Sequence, residues 1–244
     1  MGRRQIAAAA AAACALALAG SAAGQSPPPA ASTPAPPTPK LAWVGQVLAP
    51  VTARTTPRMS AKARTVLQPV APMGKGPASL LITRTVVKEG VRWVEVLLPI
   101  RPNGVRGWVP TEALRLRTTP LRIVIDVSQR RLTLFRSNRP VMRAPVAVGR
   151  PGTETPLSRD FAIAELIPTY DPGGFLGPIV FPITGYSERL FTFAGGDGRV
   201  GIHGTSLPSL IGTAVSNGCI RMYNRDIVRL SRLVRPGTPL TIRS

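Results

Sequence analysis

Gly201-Ile202-His203-Gly204-Thr205 is followed, eight residues on, by Ala214-Val215-Ser216-Asn217-Gly218-Cys219-Ile220-Arg221-Met222. His203 is the only histidine among the 244 residues, and Cys219 shares the chain with one other cysteine, Cys14. A cysteine attacks as its thiolate, and an ordinary thiol pKa of about 8.5 leaves little of it ionised at neutral pH. A neighbouring imidazole can take the proton or pair with the thiolate. Gly218, directly before the thiol, lets backbone N–H groups approach a substrate carbonyl, where each oxyanion donor is worth about 3 kcal/mol. Taken singly, a cysteine is most often a small buried hydrophobe and a histidine a satisfied structural residue. Their joint placement in glycine-flanked segments points to a nucleophile and its base.

The sequence around this pair reads as β-structure from Leu121 to Ser244. Ile123–Val127 and Arg131–Phe135 form expected paired strands about a Ser128–Arg130 turn, and Ser137-Asn138 turns into a strand over Val141–Val148. Thr169–Pro178, rich in Gly and Pro, is expected to be loop, and Gly195-Gly196-Asp197-Gly198 a tight turn before the His203 strand. Asn224 is placed to cap a helix running to about Val234, with Ile227, Leu230 and Leu233 or Val234 on its apolar face. Pro236-Gly237 stops it, and Pro239–Ile242 returns as a strand.

Residues 41–117 show short β-like runs, with strands expected at Ala42–Leu48, Leu80–Val87, Val91–Leu98 and Gly107–Pro110. Between Val91 and Val96 the residues alternate as in a strand with two faces. This region holds twelve Lys or Arg and three Glu, with no residue set of evident catalytic use. Ahead of it, residues 25–40 contain seven prolines and read as a semi-extended linker. Residues 1–24 combine Arg3 and Arg4, an Ala-rich apolar run and a Ser21-Ala22-Ala23 cleavage pattern, as an export signal does. Retention as a membrane anchor and lipid attachment at Cys14 are the alternatives; the apolar run continues well past Cys14, which counts against the latter. Once the signal is removed, Cys219 is the lone thiol and no internal disulfide can form.

Hydrophobic residues make up 44% and charged residues 17%, which excludes a wholly disordered chain. Thirty-one Lys and Arg against eleven acids give a net charge of +20. That surface suits a polyanion such as an acidic wall polymer, although only four of the basic residues are lysines, a sign of coding bias toward Arg. Export argues against nucleic acid as a partner. One histidine and one thiol cannot close a zinc shell, and no glycine-rich phosphate loop precedes a helix, so neither a metal nor a cofactor is expected.

The two stretches quoted first, together with the opening strands around Asp126, Leu132 and Phe135 and the segment Val148-Gly149 to Thr155-Pro156, resemble the L,D-transpeptidase (YkuD-like) catalytic domain over about residues 121–243. Residues 41–117 resemble a bacterial Src-homology-3-like barrel through Trp93, Gly107-Trp108-Val109 and the closing Pro110–Leu114 turn. The resemblance implies a mostly β fold, a small barrel followed by a β-rich catalytic sandwich with short helices. It implies that Cys219 is the nucleophile and His203 its base, that amides around Gly218 and Cys219 form the oxyanion site, and that Arg221 orients substrate or motif. Ser216 and Gly204 shape the turns. Peptidoglycan stem peptides would be both donor and acceptor, D-Ala would leave, and the product would join two diaminopimelate side chains.

Two positions depart from the family. Asn217 stands where a His usually precedes the Gly-Cys pair, and Asn cannot share a proton in catalysis. Ser158 stands where Gly is common. An L,D-carboxypeptidase that resolves the thioester with water, and a wall-binding protein whose catalytic domain has decayed, are the competing readings.

Overall fold

Strand residues predominate in a computed structural model that describes residues 33–193 and 195–244. The expected leader over residues 1–24 and the first part of the Pro-rich stretch lie outside the described residues. In the N-terminal half β1 (Ala42–Val47), β2 (Val51–Arg54), β3 (Ala63–Leu67), β4 (Ser79–Lys88), β5 (Val91–Leu97), β6 (Arg106–Pro110) and β7 (Leu114–Thr119) form one sheet, in the order β3-β2-β6-β5-β4-β1-β7. All four expected strands are present, within a residue or so at each end. β2, β3 and β7 were not expected. β7 is defined by six pairings with β1, about seventy residues earlier in the chain, which no local pattern announces.

The expected two-faced alternation in β5 is incomplete, because Trp93, Val94, Val96 and Leu97 are all buried. Val94 and Val96 face the core of this sheet with Ile82 and Val109. Leu97 packs on the other face with Ala42, Leu81 and Ala162, so the C-terminal half covers what would otherwise be a solvated face.

The chain continues through β8 (Leu121–Asp126), β9 (Arg131–Arg136), β10 (Arg139–Pro145), β11 (Val148–Gly149), β12 (Ser158–Ala162), β13 (Ile167–Pro168), β14 (Ile179–Tyr186), β15 (Arg199–His203), β16 (Ala214–Ser216), β17 (Ile220–Arg221), α1 (Asn224–Leu233) and β18 (Pro239–Arg243). One sheet runs β10-β9-β8-β18-β12, and a second runs β13-β14-β15-β17. Ile123, Ile125, Leu132 and Leu134 from the first meet Phe181, Ile183, Ile202 and Ile220 from the second in one core, closed by Ile227, Leu230 and Val234. Each such side chain contributes about 1.5–3 kcal/mol on burial. The fold is mostly β, as expected, with a sandwich in this half.

Two local readings are corrected. The run Val141–Val148 is not one strand: β10 ends at Pro145, and Ala147 crosses to the second sheet, exchanging N–H···O bonds of 2.9 Å with Arg221 in both directions. Asn224 does not cap α1. Tyr223 occupies the N-cap without a side-chain bond, and Asn224 is the first helical residue. Its amide is drawn instead to the neighbouring loop, where Oδ1 accepts from Thr205 N–H at 2.8 Å.

Candidate active site

β15 and β17 are parallel neighbours, with Ile202 beside Ile220 and His203 beside Arg221. Cys219 immediately precedes β17, and the two-residue alternation of a strand turns it to the face shared by Arg221 and His203. The sheet thereby joins two residues sixteen apart in sequence at the floor of one cleft of about 290 Å³, which Asn217, Ser216 and Arg221 also line. Gly204 and Gly218 are not among the lining residues; Gly204 directly follows His203 in the chain and Gly218 directly precedes Cys219.

The Cys219 turn is fixed by hydroxyls. Ser216 Oγ donates to Cys219 O (2.6 Å) and accepts from Gly218 N–H (3.1 Å). Thr155 Oγ1 donates to Gly218 O and accepts from Gly149 N–H, both at 2.9 Å. Thr153 Oγ1 donates to Ser216 O at 3.2 Å. Gly218 has φ +108°, a conformation an L side chain rarely adopts. Its N–H, expected to stand open toward an oxyanion, is committed to Ser216.

His203 is 2% exposed, and its Nδ1 lies 2.6 Å from Gly204 O. Burial holds its pKa down to about 4, the Arg221 charge acts in the same direction, and the Gly204 carbonyl opposes both. Burial likewise pushes the Cys219 thiol up, against a backbone hydrogen bond from Gly201 and the Arg221 charge. Both shifts favour the uncharged forms, a neutral imidazole and a neutral thiol. Arg221 is buried, and its Nε has no hydrogen-bond partner among the described residues. Its guanidinium lies 4.8 Å from the centre of the Phe175 ring, and that ring is tilted over His203 at 5.9 Å.

Gly204 is tightly enclosed. A Cβ there would stand 2.3 Å from Asn224 Oδ1 and 2.9 Å from Gly177 Cα. The Asn224 amide therefore needs glycine at both loops it joins. Ser158 lies in β12 opposite Ile242, outside the left-handed region, so glycine's freedom is not required there.

The sequence reading missed several residues at the site. Thr155 carried a signal, as part of the segment ending Thr155-Pro156, but no role. Asn224 has the type and place of a helix cap, and Phe175 falls in the expected loop with no signal of its own. Met73, from the N-terminal half, lines the cleft with no sequence signal at all.

The model of the YkuD family, the L,D-transpeptidase catalytic domain, matches residues 120–242, half of the chain. The chain belongs to that family. The YkuD protein of Bacillus licheniformis is 39% identical over 125 residues, covering 51% of this chain and 67% of that protein. The YkuD protein of Bacillus subtilis strain 168 is 36% identical over the same length and shares. The ErfK/SrfK protein of Salmonella typhimurium is 31% identical over 163 residues, 61% of this chain and 52% of its own length. YkuD-family L,D-transpeptidases are enzymes that act on peptidoglycan stem peptides, and both segments singled out by their lone His and lone Cys fall within the matched region.

Proposed function

We propose that this protein is an exported peptidoglycan L,D-transpeptidase that joins two diaminopimelate residues through a Cys219 thioester. The observation that carries the reading is the placing of Cys219 and a neutral, buried His203 on one face of β15 and β17, inside one cleft. His203 Nδ1 donates to the Gly204 carbonyl, which leaves Nε2 as the basic nitrogen. The imidazole takes the Sγ proton as sulfur bonds to the carbonyl carbon between diaminopimelate and D-Ala. Because the Gly218 amide is held by Ser216, the Cys219 amide is the better oxyanion donor. The intermediate collapses, the bond to D-Ala breaks, and His203 returns the proton to the departing amine. The amine of a second stem then attacks the thioester, loses its proton to His203, and releases the thiol. Asn217 lines the cleft as a polar, non-titrating group.

Residues 1–24 export the chain to the periplasm or wall, cleaved or kept as a tether, and residues 25–40 act as linker. Residues 41–117 serve as a Src-homology-3-like wall-binding or spacer domain ahead of the catalytic domain at 121–243. The +20 charge favours acidic wall polymers.

The test is incubation with a disaccharide-tetrapeptide, with mass spectrometry of the products beside Cys219→Ala. Cross-linked dimer with free D-Ala, absent in the variant, is the expected result. Tripeptide without dimer would make the enzyme an L,D-carboxypeptidase. An inert thiol with no product would favour a binding protein.

A further inference from the structure

Residues 187–198 connect β14 to β15 and contribute Phe193, Asp197 and Gly198 to the lining of the cleft that holds Cys219. The loop is closed at its base by Ser187 N–H to Gly198 O (2.9 Å). Three of its carbonyls turn toward a residue from the N-terminal half. Arg101, in the connection between β5 and β6, donates Nη1 to Ser187 O (2.9 Å) and Nη2 to both Leu190 O and Asp197 O (3.1 Å each). Its guanidinium carbon lies 4.7 Å from the Tyr186 ring centre and 4.8 Å from that of Phe191. Asn103 adds a reciprocal pair with the Tyr186 backbone, Nδ2 to O at 2.9 Å and N–H to Oδ1 at 2.8 Å. A Cβ on Gly198 would stand 2.8 Å from Arg101 Nη2, so the guanidinium fills the throat of the loop.

We propose that Arg101 is a positioning residue that sets the shape of the cleft wall, so that the N-terminal half determines which peptides the catalytic half accepts. The inference rests on the cleft being the stem-peptide site. One planar fork meets three carbonyls of a single loop, a geometry that a lysine's compact ammonium cannot reproduce. Without the fork those carbonyls lose their common donor, and the loop gains other shapes. Met73 makes the same dependence visible on another part of the cleft. Its segment is held to the catalytic half by Glu165, whose Oε2 accepts from Gly74 N–H at 2.6 Å.

The experiment compares Arg101→Ala and Arg101→Lys with the unaltered full chain. Alkylation of Cys219 is followed by peptide mass spectrometry with iodoacetamide and with a bulky maleimide. The iodoacetamide rate should stay within about twofold, since neither His203 nor Cys219 is touched, while the ratio of bulky to small rates shifts about fivefold in Arg101→Ala and less in Arg101→Lys. In D-Ala release from the tetrapeptide, KM should rise about tenfold with kcat within about twofold. An unshifted ratio in a variant with an intact thermal transition overturns the inference. Should Arg101→Ala fail to fold, Arg101→Lys decides on the same ratio. If the unaltered protein releases no D-Ala, the functional reading fails, while the alkylation ratio still decides the role of Arg101.

Discussion

His203 Nδ1 lies 2.6 Å from the carbonyl oxygen of Gly204, and because a carbonyl only accepts, that nitrogen carries the proton. A bond between sequence neighbours thus fixes the tautomer, and burial keeps the ring uncharged with a pKa of about 4.

A base must be unprotonated to work, so acylation by a tetrapeptide should rise with pH through about 4 rather than through the ordinary 6.5. Stability carries the same signature with a worked sign. Between pH 6.5 and about 4 the unfolded chain binds a proton that the folded one refuses, so stability falls on acidification by up to about 3 kcal/mol. Denaturant unfolding of the wild type and of His203→Gln across that window checks this; the variant should lose less.

Phe175 stacks on both Arg221 and His203 and is itself half-exposed. In Phe175→Ala water reaches both groups, so the His203 pKa should rise toward 6.5 and the acid limb of the pH–rate profile should move up with it. The lost cation–π contact adds about 1 kcal/mol. A limb that stays put would show that the ring does not keep water from His203.

Thr155→Val keeps the shape but leaves Gly149 N–H and Gly218 O without their hydroxyl partner, in a buried site. A loss of about 2–4 kcal/mol is expected, with Cys219 alkylation altered because its turn loosens. Thr155→Ser should retain most of both, measured by urea unfolding and by alkylation rate.

Gly204→Ala drives a methyl group to 2.3 Å from Asn224 Oδ1. It should cost about 1–3 kcal/mol and displace the amide from Thr205 N–H. Adding Asn224→Ala removes the shorter clash, so the double variant should be less damaged than the sum of the singles. Additive losses in a double-mutant cycle would place the strain at Gly177 instead.

Much of the candidate site was legible because its residues cluster in two short segments. His203 and Cys219 stand out as unique residues, and Gly218 and Ser216 lie within three residues of the thiol they shape. The strands at Ile123–Val127 and Arg131–Phe135 were legible too, since period-two alternation and a short turn suffice. Asn224 departs from the expected cap for a physical reason. Its type and place before an apolar face fit a cap, but the Thr205 amide, nineteen residues earlier, competes for the same oxygen.

The sequence by itself determined the residue types on which the proposed covalent catalysis rests, the family and the mostly β character, because these reside in short motifs and in the period of apolar residues. The tertiary structure alone decided that His203 is desolvated, that Phe175 covers Arg221, and that Arg101 holds a loop some ninety residues away. Hydrophobic periodicity encodes which face of a strand avoids water, not which distant segment covers it. Both the histidine's protonation and the wall of the cleft depend on that covering segment.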